Sequence, residues 1–118
     1  MAGTIKRSGN YEVLHEVVEH GDMVYLAGLV SDDLKLDMAG QTRDVLNQLD
    51  VLLKKHGSSR QRVLTALIFI TDMSLKPAMN QVWKEFFPQA ALPTRATIGV
   101  KDLGEGVLLE VVFTAAKG

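Results

Sequence analysis

The chain has no cysteine. That excludes a disulfide, a thiolate nucleophile and any thiolate-held metal, and it fits a reducing compartment. An excess of one charge is missing too. Thirteen Lys and Arg stand against fourteen Asp and Glu, a formal net charge of -1 at pH 7. Affinity for phosphate backbones and anionic membranes comes largely from basic charge, so neither a nucleic-acid partner nor a membrane partner is expected. No apolar run approaches the ~18 residues of a membrane span. The opening MAGTIKRSGN lacks the apolar core of a signal peptide. Low-complexity tracts, internal repeats and interdomain linkers are absent from the pattern. For 118 residues the expectation is one domain, 1–118, with one core and a cytoplasmic setting.

Histidine is scarce as well. The three present show no ligand spacing such as HExxH, so no metal is expected. His20 falls at a turn and His56 at a helix end, where both read as solvated; His15 lies within a strand and is ambiguous. Gly28 and Gly40 form no phosphate-loop fingerprint. Gly28, inside an apolar strand, marks either a close approach of backbone or ligand, or a bulge.

What is present is a clear alternation of elements. TIKRSG suits a short edge strand. YEVLHEVVEHGDMVYLAGLV reads as two strands joined by a tight turn at Gly21. The first carries apolar residues on both parities, and the second is apolar enough for a central strand covered on both faces. Residues 38–56 repeat Met38, Thr42, Val45, Leu49, Leu52 and Leu53 at helical spacing. Asp37 suits the N-cap, Gly57 the position after the C-cap, and GSS (57–59) reads as part of that cap rather than a nucleophile turn. RVLTALIFITD (62–72) reads as a strand. A second helix is expected over 75–87, with Pro77 in its first turn and Ala78, Val82, Trp83 and Phe86 on its apolar face. Trp83 and Phe86 read as core; Asn80, beside that face, reads as exposed or functional. Two strands, 92–100 and 106–115, close the chain. The order is ββ-α-β-α-ββ, an α+β class in which helices cover one sheet face. The other face then needs cover, which is a hint of a homo-oligomer.

Two charges interrupt the last strands. Arg95 lies inside LPTRATIGV and Glu110 inside GVLLEVVFTA, fifteen positions apart. An arginine fork matches a carboxylate in two hydrogen bonds, although an exposed edge-strand charge is the commoner use. A carboxylate among Leu108, Leu109, Val111 and Val112 is costly if buried unpartnered, although alternation can turn it to a wet face. A hairpin looping near 102–104 would bring Arg95 and Glu110 close across the ladder. The pair would then be either a structural salt bridge or an anion clamp beside a proton-handling carboxylate.

Several blocks together resemble the RidA (YjgF) family of imine deaminases. They are HGDMVYLAGLV, GQTRDVLNQLDVLLKKHGSS, VLTALIFITDMSLKPAMNQVWKEFFP, LPTRATIGV and GVLLEVVFTA, covering nearly all the chain from about residue 12. The resemblance implies a chorismate-mutase-like fold, a mixed sheet with two helices on one face. It implies a homotrimer with the sheets packed inward as a barrel and ligand sites in inter-subunit clefts. It implies that Arg95 holds the carboxylate of a small substrate and that Glu110 helps place the attacking water. It adds Gly28, Asn80 and Thr97 as substrate contacts. The implied reaction is hydrolysis of small 2-imino acids, such as those formed from 2-aminoacrylate, to 2-keto acids and ammonia, without metal or cofactor. The chain departs from the family pattern at Leu14, where a tyrosine is usual, at Glu16, and at Ala27-Gly28-Leu29, where Ser-Gly-Gln is usual. Two hydroxyls are thereby lost, and His15 becomes a candidate for the cleft. Two other functions remain open: a non-catalytic carboxylate-binding or protein-stabilising module, and a deaminase of a larger catabolic intermediate. A ribonuclease role is the weakest reading at this net charge.

Overall fold

A computed structural model describes residues 3–118. Its elements are β1 (Ile5–Asn10), β2 (His15–His20), β3 (Met23–Leu26), α1 (Met38–Lys55), β4 (Val63–Ile70), α2 (Lys76–Phe86), β5 (Thr94–Gly99) and β6 (Leu109–Ala116). One six-stranded sheet runs in the order β1-β2-β3-β6-β4-β5. Only β4 and β5 pair in parallel; every other neighbour is antiparallel. Parallel strands need a crossover, and α2 supplies it between β4 and β5.

The hairpin expected between the last two strands does not exist. β6 pairs with β3 on one side and with β4 on the other, so β4 separates it from β5. The connection, residues 100–108, is long enough to step over a strand end instead of turning back on itself. Short hairpin loops force neighbours to pair; a connection of this length does not.

Helix α1 forms where the periodicity predicts it. The Asp37 side chain accepts from the Gly40 amide at 2.9 Å, which satisfies one orphan donor of the first turn. Gly57 takes φ +77° just beyond the last turn, the left-handed position that glycine tolerates best. Helix α2 buries Met79, Val82 and Trp83. Met79, not the expected Ala78, completes its apolar stripe, because 79, 82, 83 and 86 follow the helical period.

These helices cover one face of the sheet. Leu46, Leu49 and Leu53 of α1 and Met79 of α2 meet Val17, Val24, Ile68, Ile70, Leu109, Val111 and Phe113. Each such side chain contributes about 1.5–3 kcal/mol when fully buried. Gln41, fully buried, ties the core to the chain entering β6. Its Nε2 donates to Leu36 O at 3.1 Å and Gly106 O at 2.9 Å, and its Oε1 accepts from Leu108 N at 3.0 Å.

The opposite face is uncovered. Across it run Val18, Tyr25 and Thr114 in one row, Val112, Leu67 and Ala96 in another, and Glu110, Phe69 and Ile98 in a third. Tyr25 and Ile98 are each 44% exposed. β3 is therefore central in the sheet but covered on one face only. The double parity of β2 has the same origin: Val17 and Glu19 turn to the helices, Glu16 and Val18 to the open face.

Candidate functional site: two clefts on opposite faces

Arg95 stands on β5 opposite Ala66 of β4, and Ala66 belongs to the helix-covered face. The guanidinium lies over Trp83, 5.2 Å from the ring centroid, a cation–π geometry. Burial pushes its pKa down from the ordinary value, but an arginine stays charged. Around it is a cleft of about 450 Å³ lined also by Asn80, Lys84, Phe87, Gln89, Leu92 and Pro93. Clefts of this size suit small ligands. Arg95 makes no ion pair with any described residue. Asn80 is half-buried instead of exposed, and its Oδ1 is fully buried without a hydrogen-bond partner. Such orphans are rare in native interiors and point to an absent partner. Thr97 shares the face of Arg95, opposite Ile68, but does not line this cleft.

Glu110 stands on β6 opposite Phe69, and so on the open face. Arg95 and Glu110 therefore point to opposite sides of the sheet. Their ladder positions are two strand spacings and three residues apart, on the order of 14 Å between Cα atoms. The cross-ladder pairing expected from the sequence is overturned: within one copy they form neither a salt bridge nor a common site.

Glu110 belongs to a second cleft, of about 290 Å³, with Gly28, Ala27, Leu14, Tyr11, Glu16 and Asp32 among its lining residues. Gly28 is here for close approach. A Cβ built on it would overlap the Glu110 carboxylate and lie 2.9 Å from its Cδ. The Glu110 side chain makes no hydrogen bond to a described residue. Leu14 and Ala27 occupy this cleft as the alignment of the blocks implies. Tyr11 is the residue that sequence reasoning missed. Its hydroxyl donates to Glu16 Oε2 at 3.2 Å, and that bond raises its pKa, so the cleft keeps a phenol three positions before Leu14. His15 lines neither cleft.

The two clefts differ in charge. The first holds Arg95 and Lys84 with no carboxylate; the second holds Glu16, Asp32 and Glu110 with no cation. Among the described residues no three His, Asp or Glu converge as a metal site, and no helix is long and apolar enough to cross a membrane.

A third polar cluster lies away from both clefts and corrects the reading of His56. Its side chain is 9% exposed, with Nδ1 at 3.2 Å from Glu19 Oε2. Lys117 Nζ reaches Glu19 Oε1 at 2.9 Å. The Lys117 hydrogen bond is the main force holding the Glu19 pKa below its usual value; desolvation opposes it and His56 assists it.

This arrangement is a mixed sheet with both helices on one face and polar clefts at either side of it. Such a fold class matches known proteins along nearly the whole chain. Residues 4–117 match the family described as Endoribonuclease L-PSP. A RutC family protein of Haemophilus influenzae is 35% identical over 113 residues, spanning 95% of this chain and 97% of its own. The crystal structure of a YjgF family protein from Neisseria meningitidis superposes with a TM-score of 0.92 at 30% identity, covering 98% of this chain and 96% of that one. A 2-iminobutanoate/2-iminopropanoate deaminase of Dermatophagoides farinae is 30% identical over 102 residues, 81% of this chain and 79% of its own. The chain belongs to this RidA/YjgF (RutC, L-PSP) family.

Proposed function

We propose that the protein hydrolyses small 2-imino acids to 2-keto acids and ammonia, in clefts that form between copies of the chain. The observation that carries this is the separation of charge. An unpaired, half-buried arginine occupies one cleft and an unpaired glutamate the other, on opposite sheet faces. A 2-iminium acid has matching poles, a carboxylate at one end and a protonated nitrogen at the other. A relative named as a 2-iminobutanoate/2-iminopropanoate deaminase supports the chemistry. The apolar open face supports association of copies, because an exposed patch of this kind marks an interaction surface, and the family resemblance implies three of them. Such packing would set Arg95 of one copy against Glu110 of the next.

In that setting Arg95 anchors the carboxylate through two hydrogen bonds. The C2 carbon of the imine is already electrophilic, so holding it in line with a water supplies much of the rate. Glu110 takes a proton from the attacking water as oxygen bonds to C2 and the C=N pair moves to nitrogen. It returns the proton to nitrogen; the C–N bond then breaks with its pair leaving on ammonia, while the adduct hydroxyl gives its proton back to Glu110 as C2=O forms, and that proton leaves with ammonia as ammonium. Asn80 Oδ1 offers an acceptor to a substrate donor. Gly28 and Thr97 are ligand contacts in this scheme through their backbone. Loss of hydroxyls at Leu14 and Ala27 favours the non-catalytic alternative, in which the clefts bind a carboxylate without turnover.

The test is to generate 2-aminoacrylate in situ with a dehydratase and follow its decay. The wild type is expected to accelerate decay, and Arg95→Ala to lower kcat/KM by about 100-fold, the loss of roughly 3 kcal/mol from a charge-assisted contact. Glu110→Gln is expected to lower kcat more than it raises KM. Decay at the same rate with wild type, Arg95→Ala or no protein would exclude the deaminase and favour the binding module.

A further inference from the structure

We infer that the Arg95 cleft takes a substrate with a second carboxylate, and that Lys84 is the residue that reads it. For its chemistry this rests on the deaminase reading; for binding it does not.

Lys84 follows Asn80 by four residues on α2, so the two lie one above the other on one helix surface. Both line the cleft with Arg95. The acids that neutralise other cations are elsewhere. Asp50 takes Lys54 and Arg60, and Glu19 takes Lys117. Glu85, next to Lys84 in sequence, turns to a different cleft with Arg43 and Arg60. The remaining polar lining of the Arg95 cleft is neutral, Asn80 and Gln89, and Trp83, Leu92 and Pro93 give it apolar walls.

Two cations therefore share a partly apolar cavity without a counter-charge. Lys84 is exposed, so solvent screens their repulsion, but both still place positive charge on one cleft. A monocarboxylate neutralises only Arg95. A diacid neutralises both and removes the residual repulsion, so the gain is specific to the second carboxylate. Arg95 suits the planar carboxylate that must be held in one orientation. Lys84, a flexible point charge, tolerates variation in where the second one falls. The class expected is thus four- or five-carbon 2-imino diacids in preference to 2-imino monoacids.

Binding is measured first, with unreactive probes. Calorimetry on the wild type is expected to show succinate bound at least about tenfold more tightly than propanoate. Lys84→Met should bring that ratio close to one, Lys84→Arg should keep it, and Arg95→Ala should weaken both acids. Lys84 is exposed and unpaired, so these variants are expected to fold as the wild type does, which their circular dichroism checks. A wild-type ratio near one, or a ratio unmoved by Lys84→Met, overturns the inference. Turnover is measured second, on 2-iminosuccinate and 2-iminopropanoate made in situ by amino-acid oxidases, with semicarbazide trapping the unhydrolysed imine. Selective binding with turnover of neither imine overturns the deaminase reading and leaves the diacid site standing. Turnover of both, at a ratio insensitive to Lys84→Met, overturns the diacid site and leaves the deaminase standing.

Discussion

Glu110 is held by what its neighbour lacks. Gly28 has no Cβ, and the space a Cβ would take is filled by the Glu110 carboxylate. The overlapping atoms are the far end of a flexible side chain, so the fold can absorb a methyl group there by moving Glu110. Gly28→Ala is therefore expected to separate stability from activity. The melting temperature should change by only a few degrees, the equivalent of about 1 kcal/mol or less. The proposed kcat should fall roughly tenfold or more, because a carboxylate displaced by an ångström no longer aligns the water. The comparison of thermal unfolding with single-turnover rate checks this. A variant that unfolds cooperatively at the wild-type temperature and retains full rate would remove Glu110 from the mechanism. Tyr11 belongs to the same scale. It lies outside the blocks that carry the family resemblance, and only the turn between β1 and β2 brings its hydroxyl back over Glu16.

At the scale of elements, the end of the chain is fastened by charge. Lys117 and His56 converge on Glu19, joining the residue after β6 and the C-cap of α1 to β2. Ser58 Oγ adds a hydrogen bond to Ala116 O at 2.6 Å. The pKa of Glu19 is lowered in the folded chain. As pH falls, the unfolded chain takes up the proton first, near its ordinary value of about 4.3. The contribution of Glu19 is thus complete above that value and is lost as pH falls through the lower, folded value. Glu19→Gln is expected to cost about 1–2 kcal/mol in urea unfolding at pH 7. It should also flatten the dependence of stability on pH between about 5 and 3. Equal acid sensitivity in the variant and the wild type would show that the clamp carries no stability. This cluster was not legible in the sequence, where His56 reads as a solvated helix end, because Glu19 lies 37 residues from His56 and 98 from Lys117. The helices were legible, since Asp37, Gly57 and the stripe from Met38 to Leu53 are local signals. Strand neighbours were not. The apolar pattern of 92–100 and 106–115 reports which residues face inward, but nothing local says that β4 will enter between them. The same gap misplaced the site: Arg95 and Glu110 were identifiable one at a time, and their opposite faces follow only from pairing with Ala66 and Phe69.

For the whole molecule, the separation of Arg95 from Glu110 makes a quantitative demand. If one copy supplies the anchor and its neighbour the water-placing carboxylate, no single chain contains a complete site. Arg95→Ala and Glu110→Gln trimers should each keep only a small residue of the wild-type activity alone. Subunits mixed at random from the two would bring an intact Arg95 against an intact Glu110 in about a quarter of the clefts, since each partner is intact half the time in a closed ring. Co-refolding the two variants in equal amounts should therefore restore about one quarter of the wild-type activity. The recovery should rise as one variant is titrated into the other and peak at equal amounts. Mixing the folded trimers without refolding should restore nothing until subunits exchange, which separates reassembly from contamination. If both residues instead serve one site within a copy, every chain in the mixture still lacks one of them, and refolding together recovers no activity. Sedimentation of the same samples supplies the independent measurement. A species near 13 kDa, the mass of one chain of 12.9 kDa, would leave the open face bare and end the inter-subunit site. A species of three chains with no recovery would keep the assembly and return Arg95 and Glu110 to separate roles.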